Sequence, residues 1–336
     1  MILNNKFYID NLKKVVFLGE SEKLKELIKI NTSFGVKTLV ITSSHQTRAI
    51  EKGIKINVFD NLNDKFKKLI NKSCKIENTL FVSLGARYIF KKNTIENFLL
   101  NNLVNFHGTR LPLDAGGGEF SWKILREDRI DNQLVHLIDE GVDSGPIIDN
   151  ELSLFPPNCI IPIDFKEYHT KKFLNFYKKF IQQIIRETKF ELKPQINYLG
   201  RYNPRLNTKV NGLIDWSLDS YDLINFINAF DIPYPGASTY LNNGNFGKLF
   251  IKKCHLHGGD SPNHPFMAGI ITRHDDKWIV VSTSGKHMLL IEEVLDAKGK
   301  NILSLIKPGD RFFTPLNELE DAKRSRITYS SKGMKR

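Results

Sequence analysis

Short apolar segments that alternate with helical segments are the feature of this chain that most constrains its fold. They recur through the first half of the sequence, and each has the length of one strand. Because parallel strands need a crossover connection, which is usually a helix, the alternation predicts a doubly wound, mostly parallel α/β sheet. The predicted strands are residues 14–19, 36–42, 54–59, 79–84 and 103–107, the predicted helices are 20–30, 64–71 and 93–100, and residues 134–139 and 147–154 extend or flank the sheet.

The second half of the chain has a different texture. Residues 164–188 have the apolar spacing of a long amphipathic helix, and the polar stretch 198–211 is typical of a linker. Short strands separated by turn residues follow, which predicts a second, smaller β-rich domain built as a barrel or a sandwich. The strands predicted there are residues 237–241, 248–253, 268–272, 278–282 and 288–295.

The composition excludes several classes of protein. The sequence has no apolar run close to the ~18 residues that a membrane span needs, and its N-terminus lacks the pattern of a secretory signal. Cys74, Cys159 and Cys254 are scattered and odd in number, which argues against a disulfide framework and against a zinc ribbon. We therefore expect a cytoplasmic protein.

The net charge of +12 has two interpretations. It can mark a partner that carries phosphates, either a nucleic acid or a nucleotide. It can also reflect a general bias of composition, which we favour because no helix-turn-helix or RNP motif accompanies the charge. The densest basic segment is the C-terminal tail, residues 321–336, which we expect to be solvated and flexible.

Asn105 and His107 end the predicted strand 103–107 and open a loop marked by Gly and Pro. Residues two apart in a strand point to the same face, so the amide and the imidazole should lie side by side. They would lie at the carboxyl end of the strand, where ligands bind in open α/β sheets. Asp143 follows in a turn-like segment, 140–146, and its alternative role is local hydrogen bonding within that turn.

An amide, an imidazole and a carboxylate together suit acyl transfer to an amine. Asn105 can donate a hydrogen bond to the oxyanion of a tetrahedral intermediate without adding a competing charge. His107 can take the proton of the attacking amine, and Asp143 can orient the ring and stabilise its protonated form. The amine is itself the nucleophile, and the sequence has no Gly-x-Ser-x-Gly elbow.

The other histidines give no comparable pattern. His255, His257 and His264, with Asp260 between them, lack the spacing of a zinc site, so we favour a solvated loop and expect no metal ion. His45 and His136 have no partner that the sequence identifies.

Four separate segments resemble the formyltransferases that use N10-formyltetrahydrofolate. An Asn-x-His pair leads into Leu111-Pro112, and Asp143 lies in a Gly-x-Asp-x-Gly turn, as in that family. Residues 83–90 are similar to the loop that lines the pterin pocket, and residues 211–216 with 233–237 are similar to the start of the C-terminal domain. The resemblance implies a Rossmann-like catalytic domain over residues 1–195, an OB-like β-barrel domain over 196–320 and the tail over 321–336.

The resemblance also implies roles for individual residues. Asn105 would stabilise the oxyanion, His107 would transfer the proton and Asp143 would support it. The formyl donor, N10-formyltetrahydrofolate, would be held as a co-substrate and not by a metal. The residues implied around the pterin are Gly85, Arg87, Tyr88, Ile138 and Asp139, and the candidates for the acceptor are Arg110, Gly117 and Arg201, the two arginines by charge and loop position.

The acceptor is less sharply defined. Residues 85–89 look like those of enzymes that formylate amino sugars linked to nucleotides, which would give the chain a role in polysaccharide biosynthesis and a homodimeric partner. The sequence departs from the motifs of related formyltransferases at residues 19–21, at residues 114–118 and at Asn228. The alternatives are a methionyl-tRNA formyltransferase, a formyltetrahydrofolate hydrolase in which water replaces the amine, and a binding module without turnover.

Overall fold

The structure is a computed structural model that describes residues 2–3, 5–86, 88–117, 119–196, 200–242, 244–259, 263–330 and 333–335. The strands of the first part of the chain are β1 (Ile2–Leu3), β2 (Lys6–Phe7), β3 (Lys14–Gly19), β4 (Lys37–Thr42), β5 (Ile56–Val58), β6 (Thr79–Leu84), β7 (Leu103–His107), β8 (Asp114–Gly116), β9 (Ile130–Leu137), β10 (Ile147–Leu154), β11 (Phe190–Glu191) and β12 (Arg201–Asn203). The later strands are β13 (Ala237–Leu241), β14 (Leu249–His257), β15 (Ile271–His274), β16 (Ile279–Val281), β17 (Met288–Leu295), β18 (Phe312–Phe313), β19 (Thr328–Ser330) and β20 (Gly333–Lys335). The α-helices are α1 (Leu24–Ser33), α2 (Asp64–Ser73), α3 (Glu119–Leu125), α4 (Pro162–Ile185), α5 (Thr208–Asn211), α6 (Ser220–Ala229) and α7 (Leu316–Arg324).

The first compact unit comprises residues 1–115, 131–153 and 169–202 and contains a seven-stranded sheet. Its strand order is β10-β9-β7-β6-β3-β4-β5, with β3 to β7 parallel and β9 antiparallel to β7. The order reverses between β3 and β6, which is the switch point of a doubly wound fold. The predicted fold class is confirmed.

Gly19 ends β3 at this switch point and has a positive φ of 108°. A Cβ atom there would lie 2.3 Å from the carbonyl oxygen of Leu84, so only glycine lets the two strand ends approach this closely.

The central strands are buried on both faces because apolar clusters cover each side. One cluster joins the sheet to α4 and contains Phe17, Val104 and Tyr177, while the other joins it to α2 and contains Phe66, Phe81 and Leu103. In the first cluster Phe106 packs against four aromatic rings of α4, at centroid distances from 5.4 to 6.1 Å. Because Phe106 points into this core, its neighbours at positions 105 and 107 point to the opposite face.

The second compact unit comprises residues 116–130, 154–168 and 203–336. It contains a six-stranded sheet in the order β15-β16-β17-β14-β13-β18, in which every recorded pair is antiparallel. Trp216 stacks on Phe312 at 5.5 Å and donates a hydrogen bond to Thr239 at 2.9 Å, so the core of this sheet also satisfies its buried indole. The separate β-rich domain that the sequence predicts is therefore present.

The two units do not follow one boundary along the chain. Residues 116–130 and 154–168 group with the second unit, whereas the sequence predicts a single change of domain at residue 195. The predicted domains, residues 1–195 and 196–320, stay a prediction, because the compact units are assembled from several segments each. No helix in the described ranges has both the length and the apolar character that a membrane crossing requires.

Part of the predicted tail, residues 321–336, is helical in the structure. Helix α7 continues to Arg324, and Leu319 and Ala322 on it are buried against Leu213. Lys323 also forms an ion pair with Asp215 at 2.8 Å. Residues 321–324 therefore belong to an amphipathic helix with an apolar side, and the flexibility of the tail stays a prediction.

Candidate active site

The predicted side chains meet where β7 and β9 lie side by side. Asn105 and His107 come from β7, and the antiparallel register places His136 of β9 directly opposite Asn105. The Asn105 Nδ2 atom lies 3.2 Å from the Nε2 atom of His136. The strand prediction for residues 103–107 is confirmed, and the two side chains share one face as expected.

The protonation of His136 follows from its contacts. Its Nδ1 atom lies 2.7 Å from the carbonyl oxygen of Leu137, which can only accept, so the proton is on Nδ1. The lone pair is then on Nε2 and accepts a hydrogen bond from the amide of Asn105. Burial lowers the pKa of His136 and the nearby His107 adds to this, although the Leu137 carbonyl and Asp143 oppose the shift. The ring is therefore held neutral, as an acceptor requires.

Asp143 lies on a tight turn that brings its carboxylate to the two imidazoles. Its Oδ1 atom is 3.8 Å from His107 Nδ1 and 3.8 Å from His136 Nε2. Its φ of 55° is in the left-handed region, which Asp tolerates better than most residues. The structure thus brings together Asn105, His107 and Asp143, with the carboxylate at ion-pair distance rather than in a hydrogen bond with His107.

Several contacts fix the shape of this turn. Gln195 Nε2 donates hydrogen bonds to the carbonyl oxygens of Asp143 at 2.9 Å and Gly145 at 2.7 Å. Asp139 accepts hydrogen bonds from Gly141 N at 3.0 Å and from Ser144 Oγ at 2.7 Å. A Cβ atom at Gly145 would lie 1.9 Å from the Leu137 carbonyl oxygen, so the turn packs directly on the end of β9.

Among Asn105, His107, His136 and Asp143, it is His107 that has a buried polar atom without a hydrogen bond. Its Nε2 atom is buried, and within the described residues it has no hydrogen-bond partner. Its side chain is 18% exposed and that of Asp143 is 28% exposed, so both can be reached from solvent. A buried ring nitrogen without a partner is costly in a purely structural histidine.

These residues line a cavity of about 460 Å³ within the first unit. Of the residues predicted around the pterin, Gly85, Tyr88, Ile138 and Asp139 line it, and Arg87 lies outside the described residues. The full lining is Ser83, Gly85, Ala86, Tyr88, Ile89, Phe90, Asn105, Phe106, His107, His136, Ile138, Asp139, Glu140, Gly141, Val142 and Asp143.

Tyr88 forms part of the wall between this cavity and the turn after β5. Its hydroxyl donates a hydrogen bond of 2.8 Å to the carbonyl oxygen of Phe59. Burial, and secondarily the charge of Asp60, raises the pKa of Tyr88 to about 12, so the hydroxyl stays protonated and the bond persists at neutral pH.

The predicted acceptor residues lie apart from this lining. Arg110 contacts Asp114 through Nε at 3.1 Å and Nη2 at 2.9 Å, and Arg201 Nε lies 3.0 Å from the same carboxylate. The Asp114 side chain is 3% exposed, so both arginines are held by a buried anion. Gly117 donates its N–H to Asn203 at 2.8 Å. Their contact with an acceptor stays a prediction.

One histidine was missed by the sequence reasoning. His136 had no partner in the sequence, yet it holds the amide of Asn105 and lies near Asp143. Its position opposite Asn105 depends on the register of β9 against β7, which apolar patterning alone does not fix.

Among the described residues, one group of metal-binding side chains converges, namely His107, His136 and Asp143. His255, His257 and His264 form no such group in the same part of the chain, and Asp260 lies outside it.

Among the comparisons with known proteins, the match to a family model falls within the second unit. Residues 207–305 match the family described as "Formyl transferase, C-terminal domain". Over 298 residues the chain is 23% identical to a methionyl-tRNA formyltransferase from Prochlorococcus marinus (strain MIT 9515), covering 81% of this chain and 87% of that protein.

Solved structures share the fold over most of the chain. WlaRD, a sugar 3N-formyl transferase crystallised with dTDP and 5-N-formyl-THF, matches with a TM-score of 0.60 at 21% identity, covering 84% of this chain and 97% of WlaRD. The N-formyltransferase from Helicobacter canadensis, in complex with folinic acid and dTDP-3-aminofucose, matches with a TM-score of 0.61 at 20% identity, covering 84% of this chain and 99% of that one.

Proposed function

We propose that this chain, a member of the formyltransferase family, transfers a formyl group from N10-formyltetrahydrofolate to the amine of a nucleotide-linked amino sugar. The observation that carries the proposal is the convergence of Asn105, His107 and Asp143 on one wall of a cavity. The same cavity is lined by Tyr88 and Ile138, which the family resemblance implies around the pterin.

Asn105 is placed to stabilise the oxyanion. Attack by the amine on the formyl carbon places negative charge on the formyl oxygen. One N–H of the Asn105 amide points to His136 Nε2, which fixes the plane of the amide and leaves the second N–H for the oxyanion. His136 is thus a positioning residue for the amide.

His107 is placed to move the proton. The new C–N bond forms at the amine, and the C–N bond to N10 of the folate breaks. The proton lost by the amine goes to the imidazole of His107 and then to N10, so charge balances at each step. Asp143 lies 3.8 Å from Nδ1 of this ring and favours the imidazolium that forms between the two transfers.

The donor site fits a flat, partly polar heterocycle. The cavity of about 460 Å³ is lined by the apolar residues Ile89, Phe90 and Ile138 and by residues 139–141. A cavity of this volume lies in the range of small-molecule sites. The two solved structures described above hold a formyl-folate compound, which supports a folate donor.

The acceptor is tested by a screen. Nucleotide-linked amino sugars are incubated with the protein and the formyl donor, and a one-formyl gain on the sugar is measured by mass. The expected result is formylation of one or a few amino sugars, with Asn105→Ala as the inactive control. Release of formate without any acceptor would instead indicate a hydrolase, and no turnover with donor bound would indicate a binding module.

Methionyl-tRNA is the second candidate acceptor. The relative from Prochlorococcus marinus covers 81% of this chain and is a methionyl-tRNA formyltransferase, and the chain has a net charge of +12. Formylation of charged initiator tRNA, with affinity that falls steeply between low and moderate salt, would favour this acceptor over a nucleotide sugar. A homodimer stays a prediction that sedimentation or scattering can test.

A further inference from the structure

Three potential metal ligands converge in the cavity from three separate backbone segments. His107 ends β7, His136 lies on β9, and Asp143 lies on the turn after β9. One ligand atom from each of the three residues lies within 4.8 Å of those of the other two. The Asp143 carboxylate is 3.8 Å from His107 Nδ1 and 3.8 Å from His136 Nε2.

The donor set and its spacing fit a zinc-like ion. Two imidazole nitrogens and one carboxylate oxygen, with a fourth position left open, form the ligand set of many zinc sites that bind water or substrate. Metal–ligand bonds of about 2.0–2.1 Å place tetrahedral ligands about 3.3 Å apart. The two carboxylate–imidazole separations of 3.8 Å therefore need a closure of roughly half an ångström. The separation of the two ring nitrogens, which is within 4.8 Å, needs a closure of up to about 1.5 Å, and side-chain rotations have to supply both.

The hydrogen bonds also suit metal binding. The contact of His136 Nδ1 with the Leu137 carbonyl puts the lone pair on Nε2, and this outer contact is the arrangement that orients most metal-bound histidines. The nitrogen of His107 that faces Asp143 is Nδ1, and the proton of the neutral ring can lie on Nε2.

We infer that His107, His136 and Asp143 form a binding site for one zinc-like divalent ion, and that occupancy of this site reversibly blocks the cavity. All three residues line the cavity, so the fourth position of the ion faces the space proposed for the formyl group. The ion would compete with Asn105 for His136 Nε2 and would occupy the Asp143 carboxylate. The blocking effect rests on the proposed function, whereas the binding of the ion does not.

Binding is tested on the full chain after treatment with a chelator. Co²⁺ serves as the spectroscopic probe and Zn²⁺ as the calorimetric one, at neutral pH. We expect one ion per chain with the intense visible bands of four-coordinate Co²⁺. His136→Ala should weaken binding by more than ~100-fold, because loss of a ligand should exceed the 10–100-fold cost of losing an outer contact.

The matched control is His255→Ala, which removes an exposed histidine of the second unit that pairs with Glu292 at 3.9 Å. Binding should be unchanged in this variant. His107→Ala provides a second removal of a ligand, and far-UV circular dichroism of each variant verifies that the fold is kept. Equal binding by wild type and both ligand variants, or loss of binding in His255→Ala, would place the ion elsewhere and overturn the inference.

Inhibition is tested separately with whichever acceptor the screen identifies. Micromolar Zn²⁺ should lower the turnover of the wild type, and a chelator should restore it. Full activity with the ion bound would overturn the blocking effect. If the screen identifies no acceptor, the proposed function fails, while the Co²⁺ spectrum still decides whether the site binds an ion.

Discussion

The histidine–carboxylate pairs Asp131–His169 and Asp143–His107 of the first unit differ in nearly every physical respect. Asp131 is fully buried and lies 2.7 Å from His169 Nδ1, and its other oxygen accepts from Gln133 at 3.0 Å and Ser153 at 3.3 Å. Asp143 is partly exposed and stays 3.8 Å from His107. The first pair satisfies its polar atoms within the fold, and the second leaves a ring nitrogen of His107 unsatisfied.

The comparison separates a pair that stabilises the fold from one that is available for chemistry. A buried charge costs several kcal/mol unless it is paired and hydrogen-bonded, so the Asp131 group must be complete for the fold to persist. The Asp143 group keeps spare hydrogen-bonding capacity beside a cavity, which is what proton transfer to a bound substrate needs. Proximity of His and Asp alone would not distinguish the two.

The same substitution in both pairs tests this distinction most strongly. Asp131→Asn should lower the free energy of unfolding by about 3–5 kcal/mol, because it leaves His169 in a buried site without its charge partner. Asp143→Asn should change the unfolding free energy by less than about 1 kcal/mol, since the pair is partly exposed and Asn tolerates the positive φ. Urea unfolding followed by circular dichroism measures both.

Equal losses of stability in the two variants would contradict the comparison. The two variants should also differ in turnover. Asp143→Asn should keep its fold and lose activity, whereas any Asp131→Asn protein that is folded at low temperature should stay active. An inactive but fully folded Asp131→Asn protein would indicate that the Asp131–His169 pair takes part in catalysis.

Substitution of His107 and Asn105 should give the largest effect on rate. Asn105→Ala removes the donor proposed for the oxyanion, and such losses typically lower turnover by ~10²–10³-fold. His107→Ala should lower turnover by at least ~10²-fold through loss of proton transfer. Steady-state kinetics with the true acceptor provides the measurement, and near-full activity of either variant would remove that residue from the proposed mechanism.

The sequence predicted the framework of this site but not all of its members. The bounds of β3, β6 and β7 were predicted correctly, because continuous apolar runs of strand length are a local signal. The spacing of Asn105 and His107 was sufficient to place both side chains on one face, since that depends only on the pleat of a single strand.

What the sequence could not supply depends on contacts between distant segments. His136 reaches Asn105 only through the register of β9 against β7, and the apolar run at residues 134–139 placed that strand several residues late. The pairing of Asp114 with Arg201 also joins segments far apart in the chain. Helix α7 was not predicted, because its many charged residues obscure the apolar side formed by Leu319 and Ala322.

His136 should have a smaller effect on rate than His107. His136→Ala should lower turnover by about tenfold to 100-fold, because the Asn105 amide loses its fixed orientation but keeps its N–H groups. His136→Gln offers a carbonyl oxygen as an acceptor and should restore part of the loss. The rates of both variants under saturating donor and acceptor provide the measurement. Equal loss in the two would mean that His136 acts by packing and not through its hydrogen bond.

A third carboxylate, Asp114, is intermediate between Asp131 and Asp143, and the loss of one of its partners should have the smallest effect on stability. Asp114 is buried like Asp131, but one of its partners, Arg201, has a side chain that is 57% exposed. Arg201→Ala should lower the free energy of unfolding by less than about 1 kcal/mol, because Arg110 still pairs with the buried Asp114 and the Arg201 side chain is largely exposed. Lys179→Ala, which removes a similarly exposed partner of Glu151, is the matched control for stability.

The two variants should differ in the kinetics of the acceptor. If Arg201 contacts the nucleotide, Arg201→Ala should raise the KM for the acceptor several-fold while kcat and the KM for the formyl donor stay the same, and Lys179→Ala should change none of them. Loss of a contact made equally in the ground state and the transition state raises KM alone. An unchanged KM for the acceptor would leave Arg201 with Asp114 as part of the fold, and would shift the search for the acceptor's anion contacts to other residues.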